Sequence, residues 1–150
     1  MRRKLRIALG LKPAERVLLW RAWVRLLWVG VALRVLPLPK VQSLCAGSGR
    51  PLRSPVPASR LADLAAAAAR HHILTLHCLP RALVLQSLLR DQGSDADLRI
   101  GVRRMEDAME AHAWVEQDGR VIGDSPEIVH QYLPLERPRH SGDEISPGLA

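Results

Sequence analysis

The chain predicts an α+β fold in which helices come first and pack on one face of a small antiparallel sheet that follows them. Three observations carry this expectation. Apolar residues recur at helical spacing as far as Asp91, and they alternate at period two from Ala96 onward. Between two of the alternating stretches lies Asp118-Gly119, a strong hairpin signal. A length of 150 residues suits one domain with one core. With four Trp, one Tyr and no Phe, that core must be built from Leu, Val, Ile and Ala.

The first helix starts at Lys12-Pro13-Ala14-Glu15, where proline suits a first turn and an acid suits the positive helix end. It runs to about Val35 and is stopped by the proline-rich Leu36–Lys40 stretch. Residues 43–57, rich in Gly, Ser and Pro, read as a linker. A second helix follows from Ala58 or Ser59 through Ala69, carried by alanine propensity and continuing towards His72. The third spans about Cys78 to Asp91, with Pro80 in its first turn and Gly93 ending it. Strands follow at Ala96–Arg104, Ala111–Gln117 and Arg120–Asp124. The resulting organisation is a basic N-terminal helical segment (1–42), a linker (43–57), a core domain (58–136) and a disordered tail (137–150).

The net charge of +7 is unevenly divided. Residues 1–60 hold thirteen Lys/Arg against Glu15 alone, whereas residues 61–150 hold nine Arg against fourteen Asp/Glu. A whole-chain argument for nucleic-acid binding therefore fails, because the basic character belongs to the N-terminal segment. Arg21, Arg25 and Arg34 interrupt the apolar run from Val17 to Leu38, so no stretch approaches the roughly 18 uncharged residues of a membrane span. The segment is expected to pack on the main domain or a partner, with contact at an anionic membrane surface as the alternative. Two cysteines, Cys45 and Cys78, exclude a disulfide framework and a four-cysteine zinc site.

Cys78 falls at the start of the third helix, where unpaired N–H groups favour an anion. A nucleophilic cysteine needs a base within reach and a third group to orient that base. His112 lies early in one strand and Asp124 ends the next. With Asp118-Gly119 as the turn, Asp124 falls opposite about Ala113, one step from His112. Each residue alone has a plainer reading: Cys78 as a small buried hydrophobe, His112 as a structural histidine, Asp124 as a turn former. Their joint order is what points to chemistry. Metal binding is the other sharp reading, since His71, His72, His77, Cys78 and His112 supply ligand types, but no paired metal-ligand spacing supports it and no metal is expected.

The stretches HCLPRALVLQSLL, LRIGVRR and AHAWVE, with Asp124 after them, resemble the transglutaminase-like cysteine peptidases of lasso-peptide biosynthesis, the maturation B proteins. In that family a C-L-x-R-S/A-L helix start supplies the nucleophile, an H-A-W strand the histidine, and an aspartate about a dozen residues later the third member. The basic Leu/Trp-rich opening from Gly10 resembles the helical N-terminus of the short, split form, so the resemblance runs from about Gly10 to Tyr132. It implies a transglutaminase-like, papain-like core and a triad of Cys78 as nucleophile, His112 as general base and Asp124 as orienting group. It also implies that the Cys78 N–H is an oxyanion donor. His77 is a candidate second donor, Arg81 a substrate-binding or helix-supporting residue, and Trp114 a wall of the site. Pro80 occupies the motif's variable position.

The split form implies a bacterial, cytoplasmic leader peptidase without a cofactor. Its implied partners are a precursor peptide, a separate leader-binding protein and an ATP-dependent macrolactam cyclase. The chain has no Walker-type loop for ATP of its own. Two other functions compete with this expectation: a transglutaminase-type acyl transferase, and a non-catalytic protein that docks a partner or membrane through its basic helix.

Overall fold

The computed structural model describes residues 12–45, 56–74, 77–106 and 108–135. Helix α1 spans Pro13–Val35. Glu15 accepts the Lys12 backbone N–H at 2.9 Å and so closes the first turn. Leu18, Ala22, Leu26, Val29 and Ala32, at three- and four-residue spacing, turn one face of α1 into the core. Pro37 forces Leu36 into extended backbone and ends the helix. The same proline-rich stretch then restarts as a short helix, α2 (Leu38–Leu44), with Pro39 in its first turn and Val41 fully buried. The sequence reading took this stretch only as a stop, because a proline that ends one helix is equally acceptable at the start of the next.

Helix α3 (Ala58–Arg70) and helix α4 (Cys78–Arg90) complete the helical layer. Every residue from Ala82 to Leu89 is buried, as expected of a helix covered on all sides. Packing α4 on three neighbours leaves its polar groups few partners, and each is satisfied. The Gln86 amide donates to the Ala96 carbonyl at 2.8 Å, and Ser87 Oγ donates to the Val84 carbonyl at 3.0 Å. Asp91, at the end of α4, is buried between two arginines of α1: Arg21 at 2.8 Å and Arg25 at 2.6 Å. Arg25 also donates to Ser87 Oγ at 3.0 Å. Two of the charges that interrupt the apolar run of α1 are therefore the clamp that seats it on α4. Gly93, at positive φ, closes the helix end as expected.

The sheet has the order β3-β2-β1-β4. Strand β1 (Asp97–Arg104) pairs antiparallel with β2 (Met109–Gln117), and β2 pairs with β3 (Arg120–Ile122) with Gln117 opposite Arg120. The hairpin register is thus the one the Asp-Gly turn predicts, with Asp118 and Gly119 both at positive φ. One sheet face presents Leu98, Ala113 and Val115 to the helical core. On the other face, Trp114 packs with Val129 and Tyr132 from the one-turn helix α5 (Pro126–Val129) and the residues after it. The chain then adds β4 (Leu133–Pro134) beside β1. Neither α5 nor β4 was expected. The layers therefore run from α1, through α3 and α4, to the sheet and finally α5. Most of the linker and the whole C-terminal tail lie outside the described residues.

Candidate active site

The hairpin brings His112 and Asp124 together. His112 lies on β2 beyond the end of β3, and the chain leaving β3 turns at Gly123 so that Asp124 Oδ2 meets His112 Nε2 at 2.6 Å. Gly123 has φ of 76°, and a Cβ there would meet Ala62 Cβ and Leu85 Cδ2 at 2.9 Å. Only glycine allows this turn to lie against α3 and α4. The second Asp124 oxygen accepts the Ser125 N–H at 3.0 Å, so both carboxylate oxygens are held. A carboxylate accepts only, so Nε2 carries the ring proton and Nδ1 is the basic nitrogen.

Cys78 sits at the first position of α4, half-buried and free of any disulfide. His112, Asp124, Arg81 and Trp114 line the same cleft as Cys78. Its floor is Ala62, Ala65 and Ala66 of α3 with Ala82 of α4. The alanine run thus has a role beyond helix propensity, since small side chains leave room for the cleft between α3 and β2. The Cys78 backbone N–H, in the first turn of α4, has no carbonyl of its own helix to bind.

The remaining candidates divide. Trp114 lines the cleft and is also buried against Val129 and Tyr132, so it serves both roles. Arg81 lies one turn from Cys78, exposed at the cleft. His77 is the residue before α4, exposed and extended, and is not among the residues that line the cleft. Among the described residues, no three His, Cys, Asp or Glu side chains converge as a metal site would require.

Tyr132 escaped the sequence reading, yet it stands beside the histidine. Its ring centroid lies 5.1 Å from that of His112, and the Arg103 guanidinium caps its ring at 4.8 Å. Burial, together with the charges of Glu110 and Cys78, pushes the Tyr132 hydroxyl above the usual tyrosine range, against the pull of Arg103. Arg103 in turn pairs with Glu110, directly opposite it on β2, and holds that carboxyl below its ordinary range. Gly101 makes room for this arrangement: a Cβ there would meet Trp114 at 2.8 Å and the Leu133 carbonyl at 2.9 Å.

A cysteine at a helix start and a hydrogen-bonded His–Asp pair from the hairpin thus line one cleft of an α+β frame. The sequence profile of the transglutaminase-like superfamily matches residues 13–137. The chain belongs to the transglutaminase-like superfamily. That match takes in α1 as well as the sheet, so the N-terminal helix is part of the transglutaminase-like domain's extent. The superfamily includes cysteine peptidases and acyltransferases, which share an acyl-enzyme. No curated protein and no solved structure matches the chain.

Proposed function

We propose that the chain is a leader peptidase that cuts a lasso-peptide precursor at its leader–core junction. The observation that carries this reading is the His112–Asp124 contact in the cleft that Cys78 lines, reached through the C-L-P-R-A-L and H-A-W motifs at the spacing of the lasso-peptide B proteins. In the reaction, His112 Nδ1 takes the Cys78 proton, and Sγ attacks the scissile carbonyl. The oxyanion accepts the Cys78 N–H. As the tetrahedral adduct collapses, His112 returns the proton to the amine of the core, leaving the leader as a thioester on Sγ. Water, deprotonated by His112, then hydrolyses the thioester. Asp124 holds the imidazole in one tautomer and stabilises the imidazolium that forms.

On this reading a separate leader-binding protein presents the precursor, and an ATP-dependent cyclase takes the freed core. The test is to incubate the chain with a precursor peptide and a leader-binding protein and to measure product masses. Separate leader and core fragments, with the leader ending in a free carboxylate, are expected. A leader joined to an amine, with no hydrolysed carboxylate, would make the chain an acyl transferase instead.

A further inference from the structure

Helix α1 is apolar on two opposite faces. The inner face is buried, whereas Val17, Trp20, Val24, Trp28, Val31 and Val35 form a second stripe at three- and four-residue spacing along the whole helix. These side chains are 41% (Val24) to 75% (Val35) exposed. Single exposed apolar residues need no explanation, but a continuous ridge of six that includes two tryptophans marks a contact surface.

We propose that this ridge docks α1 flat on an anionic lipid surface. Two observations favour lipid over a protein groove. The first is charge. Arg16 and Arg34 each lie one turn from the stripe, at Trp20 and Val31, and Lys12 and Lys40 are exposed at either end of the helical segment. The acid of the segment, Glu15, is held by Arg60 at 2.7 Å. Described residues 12–45 hold six Lys/Arg against Glu15 alone, and although Arg21 and Arg25 are taken by Asp91, the remaining excess favours an anionic plane. The second is shape. The stripe runs from Val17 to Val35 on a single 23-residue helix, a ridge that a planar interface accommodates over its full length, with Trp at the depth where indole is favoured. Among the described residues no helix is long and apolar enough to cross a membrane, so the contact is peripheral.

Docking this way leaves the cleft open. Helix α1 packs on α3 and α4, and the Cys78 cleft lies between those helices and the sheet on their other side. The inference is independent of the peptidase reading, since it concerns a face that takes no part in the cleft.

The test is flotation of the full chain with two vesicle types, phosphatidylcholine alone and phosphatidylcholine mixed with phosphatidylglycerol. Binding to the mixed vesicles, weakened by salt, is expected, with little binding to the neutral ones. Trp20→Ser/Trp28→Ser should abolish it, and Arg34→Gln/Lys40→Gln should weaken it on the order of tenfold. All four side chains are partly or largely solvent-exposed, and thermal melting checks that the variants fold. Should they not fold, quenching of wild-type tryptophan fluorescence by brominated lipid in the mixed vesicles reads the same contact. Equal or absent binding to both vesicle types would overturn the proposal. So would light scattering that shows a dimer dissociated by the tryptophan substitutions, which would assign the ridge to a second copy of this chain.

Discussion

His112 Nε2 and Asp124 Oδ2 lie 2.6 Å apart, although their residues are separated by a hairpin turn and a strand end. The contact decides which ring nitrogen is basic. Asp124→Asn replaces the acceptor-only carboxylate with an amide and removes that decision. The variant should fold, with a melting temperature within a few degrees of wild type, yet lose roughly 10³–10⁴ in turnover of a precursor peptide. A loss below about tenfold would place Asp124 outside the catalytic array.

Gly123 is the hinge of that contact. Gly123→Ala meets both a left-handed backbone and the 2.9 Å approaches to Ala62 and Leu85. We expect a loss of about 2 kcal/mol or more by denaturant unfolding, with reduced turnover even under conditions where the variant is folded. Adding Ala62→Gly should recover part of the stability, because it relieves the contact but not the backbone conformation. Recovery to wild type would show that the backbone conformation costs nothing there.

The clamp between α1 and α4 tests whether the N-terminal helix belongs to the fold. Asp91 is buried, while Arg21 and Arg25 keep part of their side chains in water. Asp91→Ala should therefore cost about 1–3 kcal/mol, less than removing one partner of a fully buried pair, because the freed arginines can rehydrate. An unchanged unfolding midpoint would mean that α1 is held by its apolar face alone.

Three carboxylates, Glu15, Glu110 and Glu127, are held below their ordinary value of 4.5, chiefly by hydrogen bonds from Arg60, Arg103 and Ser125 respectively. Their folded values are lower than their unfolded ones. The stability they contribute is present above the ordinary carboxylate range and lost as pH falls through the folded values. Melting temperature should therefore decline on acidification below about pH 4.5, and Arg60→Gln should make that decline shallower. An identical profile in the variant would contradict the assignment for Glu15.

Much of this was legible in the sequence because the signals were local. Asp118-Gly119 dictates a two-residue turn, so the register that carries His112 towards Asp124 follows from counting. Cys78 at a helix start was equally legible, since Pro80 and the apolar spacing after it place the first turn. Tyr132 was not. It reaches His112 through a one-turn helix and a two-residue strand, too short to show any period, and through Gly101, whose need for an absent Cβ arises only once Trp114 and Leu133 close on it. The restart at Pro39 was hidden because proline punctuates both ends of helices. The roles of Arg21 and Arg25 depend on Asp91, far along the chain, and no local pattern reports such a pair.

Tyr132 therefore needs its own test. Tyr132→Phe keeps the ring against His112 and removes the hydroxyl that Glu110 and Cys78 influence. If the hydroxyl only packs, turnover and its pH profile should match wild type. If it helps position the His112 ring or the acyl group, turnover should fall by roughly tenfold, whereas Tyr132→Ala should also lower the melting temperature by opening the cluster of Trp114 and Val129.

The central claim is that Cys78 is the nucleophile of an acyl-enzyme, and intact-mass spectrometry of rapidly quenched mixtures with a precursor peptide tests it most directly. Cys45 serves as the internal control, since burial raises its thiol above the ordinary range. The account predicts a transient adduct equal to the leader fragment less one water, mapped to Cys78, absent in Cys78→Ala and unaffected by Cys45→Ala. Precursor cleavage that persists in Cys78→Ala, or an adduct on Cys45 alone, would contradict it.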